Sequence, residues 1–299
     1  MERKDRIDLL GGTILIAFSL SLGLNQALVK LVNEGMAPIF QAGLRSACAF
    51  LPVLLFAIYM RRHLTIRDGS LVPGIICGTL FAAEFMLLFV ALDYTTVARA
   101  SIFFYTMPVW VTLAAHFLIP GEAMTRAKAA GLILAVGGVA LALSRNGAPA
   151  SPDALLGDVM CLVAAVFWAG IALIARTTAL SKSVPEMQLL YQLAVSAPIM
   201  LGFAYVSGET VRDLTIVHMG IFAFQVLVVV CVGFLTWFWV LSIYPASDMA
   251  SFGFLAPVFG VVFGWLIFDD PITPSFLAAM ILVAIGIVLV NRKPKVMPA

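Results

Sequence analysis

Glu84 stands in the middle of the apolar run FAAEFMLLF, with no polar segment beside it. At the centre of a bilayer an ionisable group costs about 2.5–3.5 kcal/mol on insertion scales, so it must face protein or water rather than lipid. Two chemistries suit it there: binding a cationic ammonium group, or exchanging a proton. The structural alternative is a partnership with Arg45, which lies in the equally apolar QAGLRSACAF. Arg45 has two readings of its own. Its planar fork matches a substrate carboxylate, or it holds an acid or the carbonyls at a helix end. Arg99 and Asp248 have opposite signs and are 248 − 99 = 149 residues apart. They read either as a pair of gates or as interfacial charges near helix starts, where Asp248 also complements the helix dipole.

Around these charges lie rings and amides. Phe81, Phe85, Tyr105, Trp168 and Trp237 are candidates to line a site for an apolar or aromatic side chain; Tyr105 and Trp168 can also donate hydrogen bonds. For any single ring, packing and lipid contact compete with that role. Asn25 and Gln26 interrupt the first apolar stretch, and Gln41, Gln188, Gln192 and Gln225 interrupt others. Such amides either hold helices together, at about 0.6 kcal/mol per hydrogen bond, or line a path. His116 reads as interfacial. Pro108 and Pro257 remove a backbone donor at equivalent positions and so predict bends, each either a hinge or a static packing feature.

The elements that must carry these residues are membrane spans. The chain has 299 residues, is 62% hydrophobic and only 11% charged, and has a mean hydropathy of +1.06. A soluble domain of this size has too little interior to hide that much apolar surface. About 20 apolar residues cross a bilayer as a helix, and unbroken apolar runs exclude a barrel's alternation. Breaks at Pro, Gly and charge clusters predict ten spans, at roughly 10–30, 38–60, 71–92, 97–118, 126–144, 156–178, 186–206, 216–241, 247–268 and 274–291. Cys48, Cys77, Cys161 and Cys231 all fall within apolar runs and read as small hydrophobes. The N-terminus has a charged-then-apolar order but no small-x-small cleavage site, so a retained first helix is expected. The net charge of +2 gives no reason to expect nucleic acid as a partner.

Lys and Arg set the direction of these spans. With the N-terminus inside, thirteen fall in inside segments and four in outside ones. The excess places both termini in the cytoplasm. The chain also repeats itself. TTVARASIFFYTMPVWVTLAAHFLIPGE (95–122) aligns with IYPASDMASFGFLAPVFGVVFGWLIFDD (243–270), setting Pro108 opposite Pro257. Gly11 falls opposite Gly157, Pro38 opposite Pro185 and Gln41 opposite Gln188. Gln41 and Gln188, mates near helix starts, read as structural. Five spans per half is odd, so the second half (149–299) enters the membrane from the opposite side to the first (1–148). The expected fold is therefore an all-α membrane protein of ten helices in two inverted five-helix repeats. Glu84 has no counterpart, since Gly233 lies 149 residues on, and Gln192 stands opposite Arg45. The unmatched residues are where substrate chemistry is expected.

Ten spans in two repeats, Arg45 in the second span, and a Pro followed by an apolar run and Gly-Glu (Pro108 to Gly121-Glu122) resemble the EamA domains of the drug/metabolite transporter superfamily. Within that superfamily the chain is most similar to the YddG-type aromatic amino-acid exporters. The second half departs from the pattern, with Asp269-Asp270 where the first has Gly121-Glu122. The resemblance implies a central cavity lined mainly by the third, fourth, eighth and ninth spans. It also implies peripheral fifth and tenth spans that would permit a homodimer, and export of small metabolites, amino acids foremost, with drugs or other metabolites as the alternative.

A polytopic membrane enzyme would need a nucleophile with its base, paired acids or a metal motif, and none is evident. A receptor or structural role leaves the repeat unexplained. No phosphate-binding loop of the G-x-x-x-x-G-K-[ST] type occurs, which excludes direct use of ATP through that motif. No cofactor or metal is expected. The reading is a secondary transporter of the bacterial-type inner membrane, with a small-molecule substrate and the lipid bilayer as its partners.

Overall fold

A computed structural model describes residues 7–119, 124–143, 153–233, 236, 239, 240, 243, 244, 252 and 255–291. Trp237 and Asp248 lie outside the described residues. The described chain is helical: α1 (Leu9–Gly35), α2 (Pro38–Tyr59), α3 (Leu71–Tyr94), α4 (Val97–Phe104), α5 (Met107–Leu118), α6 (Arg126–Leu143), α7 (Ala154–Thr177), a 3₁₀ turn (Ala179–Lys182), α8 (Pro185–Ser207), α9 (Ile216–Phe224) running into a π-helix (Gln225–Val232), α10 (Leu255–Phe268) and α11 (Pro274–Asn291). Seven helical stretches, with α4 and α5 taken as one, are long and apolar enough to cross a bilayer; Ile216–Val232, Leu255–Phe268 and Pro274–Val290 are shorter apolar helices.

Helix ends follow local chemistry. Asp8 caps α1 by accepting from the Gly11 amide at 2.9 Å, and Thr96 caps α4 through the Arg99 amide at 3.1 Å, each satisfying a donor the helix leaves open. Pro38 and Pro185 open α2 and α8, where a missing N–H costs nothing. The outer faces are apolar: Leu55, Phe117, Ile133, Val206, Leu266 and Ile281 are all exposed, as a lipid solvent requires.

Two elements differ from the expected plain helices. The fourth span, where Pro108 predicts a bend, is broken at Tyr105 and Thr106, in the turn before the proline, whose missing N–H leaves the Phe104 carbonyl open. The Thr106 hydroxyl donates to the Phe103 carbonyl at 2.6 Å, competing with the helical ladder. Pro108 then sits at the second position of α5, where it fits a new helix start. Downstream, the eighth span changes from α to π winding at Gln225.

The two halves pack on each other in a pattern that repeats. Under the offset read from the sequence, α1 corresponds to α7, α2 to α8, α3 to α9 with its π-helix, α5 to α10 and α6 to α11, while α4 falls opposite residues 246–253. α3 packs on α7 as α9 packs on α1, and α3 packs on α8 as the π-helix packs on α2. Likewise α5 packs on α7 as α10 packs on α1, while α2–α8 and α6–α11 are pairs of equivalents. Single residues repeat the pattern too. A Cβ at Gly157 would lie 2.9 Å from the Thr95 Cβ, and one at Gly11 would lie 2.7 Å from the Tyr244 ring; Thr95 and Tyr244 are 149 apart.

The small-residue ladder on α6 is used within the chain. A Cβ at Gly131 would lie 2.7 Å from the Gly286 carbonyl oxygen, and one at Gly286 equally close to that of Gly131. Glycine at both positions lets the α6 and α11 backbones touch.

Candidate functional site

Where the halves meet, five elements bring polar side chains into an apolar interior. α3 contributes Glu84, 2% exposed, whose Oε2 has no hydrogen-bond partner among the described residues. α2 contributes Gln41 and Arg45, one turn apart on the same face, both buried. Arg45 makes no ion pair within 4 Å among the described residues. Its guanidinium lies instead 4.4 Å from the ring centre of Phe85 and 4.6 Å from that of Phe89. It is close enough to Glu84 for their charges to interact. A cation held against rings keeps its hydrogen-bonding edge for another partner.

The remaining members are neutral. Gln41 Nε2 donates to Gln225 Oε1 at 3.4 Å, with both side chains fully buried. Gln225 begins the π-helix, a local winding found disproportionately at functional positions. α1 contributes Asn25 and the buried Gln26, and the Gln26 side chain approaches the Tyr105 hydroxyl. α4 contributes Ser101, buried against Gly260 of α10. Buried atoms without a partner include Asn25 Oδ1, Gln26 Oε1, Gln41 Oε1, Glu84 Oε2, Ser101 Oγ and Gln225 Nε2. Each buried polar group left unmade costs about 1–3 kcal/mol. A concentration of them on elements from both halves is a structural expense that a polar ligand or water would offset.

The rings form the wall of this region. Phe104 and Trp168 stack at 4.9 Å and 14°, with Tyr105 edge-on to Trp168 at 6.0 Å. Phe81 lies 4.5 Å from Phe85, and Phe85 is edge-on to Phe89 at 5.6 Å. Of the residues singled out by sequence, Glu84, Arg45, Phe81, Phe85, Tyr105, Trp168 and Asn25 belong to this layer or its wall. Pro108 opens α5, and Pro257 is buried in α10.

Two polar closures flank the layer. At one end Arg99, 7% exposed, forms a buried ion pair with Asp158 of α7, its Nε donating at 3.1 and 3.2 Å. Thr95 donates to the same carboxylate at 2.7 Å, and Lys30 donates to the Thr95 carbonyl at 2.7 Å. Asp270 accepts from the Ala98 amide at 2.9 Å, which ties the end of α10 to the start of α4. Burial raises the Asp270 carboxyl above the ordinary aspartate value, against the pull of that amide and of Lys30. Asn33 and Arg212 both bond Asp93 there, at 2.8 and 2.9 Å. At the other end the Tyr244 hydroxyl donates to Asp8 at 2.6 Å. Arg62 pairs there with Glu186 at 2.8 Å, and Ser70 meets Tyr191 at 2.9 Å.

Three features were not anticipated. Asp158 as the partner of Arg99 is one; its only signal in the sequence is an acid one residue past Gly157, at the head of an apolar run. Ser101 gave no signal, because a lone serine in a membrane helix commonly bonds its own backbone. Gln41 departs from its mate: Gln188 donates to the Leu180 carbonyl at 2.8 Å in an ordinary local contact, whereas Gln41 faces Gln225 across the layer. His116 is exposed and accepts from the Met124 amide at 3.1 Å.

Known proteins resemble this one along its length. The chain is 25% identical to an uncharacterized transporter, YoaV, of Bacillus subtilis, over 91% of this chain and 94% of that one. It is 24% identical to a protein of Salmonella typhimurium named "Probable amino-acid metabolite efflux pump", over 96% and 94%. A solved crystal structure superposes with a TM-score of 0.66 at 18% identity, covering 94% of this chain and 96% of that one, which establishes a shared fold. The profile of the EamA-like transporter family matches twice, at residues 9–144 and 155–292. With nearly every residue inside one match or the other, the chain belongs to the EamA-like transporter family.

Proposed function

We propose that the protein is a secondary transporter that exports small metabolites, amino acids foremost, by alternating access around the buried polar layer. The observation that carries the reading is the set of unpartnered polar atoms on α1, α2, α3, α4 and the π-helix, enclosed where the halves meet and closed off at both ends. Glu84 answers a substrate ammonium and Arg45 a carboxylate, so the layer has both charges of a zwitterion. The Salmonella relative's name supports amino acids as the substrate class. The repeated packing of the halves supports ten spans in two inverted five-helix repeats, 1–148 and 149–299. In that arrangement Arg99 and Asp158 close the outer end and Asp8 and Tyr244 the inner one. The excess of positive charge supports cytoplasmic termini and a place in the inner membrane. Since Gly131, Gly138 and Gly286 bring α6 and α11 against each other, any homodimer would use their outward faces, around Ile133 and Ile281.

The test is flux of labelled amino acids into and out of liposomes holding the purified protein, with and without a pH gradient. Saturable flux of at least one amino acid is expected. Absence of flux for every amino acid would remove that substrate class and turn the search to other small metabolites.

A further inference from the structure

We propose that Gln41 and Gln225 read the substrate's side chain, and that the site prefers amino acids carrying a short carboxamide over aromatic ones. This rests on the amino-acid reading above and narrows it. Two primary amides facing each other can satisfy one another through two reciprocal hydrogen bonds. This pair makes one, at 3.4 Å, and leaves Gln41 Oε1 and Gln225 Nε2 without partners although both side chains are fully buried. Turning both amides over still leaves one acceptor and one donor open. An adjacent open acceptor and donor is the complement of a carboxamide, which carries one of each in one plane.

The position of the pair fits that use. Gln41 lies one turn of α2 from Arg45, about 6 Å along the helix axis. In the proposed pose the carboxylate meets Arg45, the ammonium meets Glu84, and a short side chain spans the one turn to Gln41 and Gln225. Nothing in the repeat requires the pair. Gln188, the mate of Gln41, is tied to the Leu180 and Ser183 carbonyls. The residue 149 before Gln225 is Ile76, 47% exposed on the outer surface of α3. If helix packing were the whole purpose, two apolar residues of the same shape would serve as well or better.

The rings argue against an aromatic side chain as the preferred cargo. Phe104 and Trp168 each cover one face of the other, Phe81 lies against Phe85, and the Arg45 guanidinium covers one face of Phe85 and of Phe89. These rings act as wall and as a seat for Arg45.

The experiment is uptake of labelled glutamine, leucine and phenylalanine in liposomes holding the full chain, as wild type, Gln41→Met and Gln225→Met. Wild type is expected to favour glutamine over phenylalanine. Each variant is expected to lower kcat/KM for glutamine about tenfold, the weight of one neutral hydrogen bond, with leucine changed by no more than about twofold. The ratio of two substrates within one variant does not depend on how much protein is folded. Equal loss for glutamine and leucine would make the pair structural and overturn the proposal, as would no loss for either. Wild type that carries leucine but not glutamine overturns this inference alone, and wild type that carries no amino acid overturns the transport reading beneath it.

Discussion

Glu84 and Arg45 are the two charges at the centre, and they are held differently. The arginine is seated on two rings, while the carboxylate keeps an oxygen unpaired. An acid that is unpaired when no ligand is present is suited to take a proton from one side and yield it to an ammonium group from the other. Glu84→Gln keeps the shape and removes the titration. Its flux is expected to be indifferent to an imposed pH gradient, measured beside wild type in the same liposomes; a wild-type pH profile in the variant would refute the role. Arg99 and Asp158 make a different prediction. Removing one partner of a buried ion pair leaves a stranded charge and costs about 3–5 kcal/mol, while replacing both with apolar residues costs far less. Arg99→Met is thus expected to lower the melting temperature in detergent more than Arg99→Met with Asp158→Leu. A double variant less stable than the single one would contradict this. Glu84 and Arg45 were legible in the sequence because lipid makes any charge conspicuous. Asp158 was less so, since an acid at the edge of a span is ordinary there and only its distance from Arg99 reveals the pair.

At the scale of elements, the break at Tyr105 and Thr106 divides one span into a short α4, clamped at its start by Asp158 and Asp270, and an α5 that begins at Pro108. α4 carries Ser101, Phe104 and Tyr105 into the layer, so a swing about the break would move the wall and the closure together. Pro108→Ala restores an N–H that can bond the Phe104 carbonyl and favours a continuous helix. Exchange is expected to slow, measured as the initial rate of labelled amino-acid counterflow, and an unchanged rate would make the break a static packing feature. α6 and α11 are the opposite case, two backbones in contact. Gly131→Leu is expected to force them apart, costing about 1–3 kcal/mol or more. An unchanged melting temperature would contradict that packing. Helix positions were legible because unbroken apolar runs ending at Pro, Gly and charges leave few choices. The break lies in the turn before Pro108, which has no N–H for the Phe104 carbonyl, and the Thr106 hydroxyl takes the neighbouring Phe103 carbonyl, a competition that hydropathy does not register. The π-helix escaped for the same reason, since its apolar residues suit either winding.

At the scale of the molecule, the duplication seen in the sequence returns as packing that repeats when the halves are exchanged, down to Gly11 on Tyr244 and Gly157 on Thr95. The departures from that symmetry are the polar layer: Glu84, Arg45, Gln41 and Gln225 have no functional equivalents in the other half. A symmetric frame around an asymmetric site is the arrangement alternating access needs, because the frame can invert while the site keeps its chemistry. The account stands or falls on whether the end closed by Arg99 and Asp158 must open for transport. With the four native cysteines replaced by alanine and Arg99→Met added so that no charge is stranded, Thr95→Cys and Asp158→Cys can be joined by a short bifunctional thiol reagent whose link is cleaved by reductant. Thr95 and Asp158 touch at 2.7 Å in this structure. Amino-acid counterflow in liposomes is predicted to stop on cross-linking and to return on reduction. Full-rate counterflow through the cross-linked protein would contradict alternating access around this site.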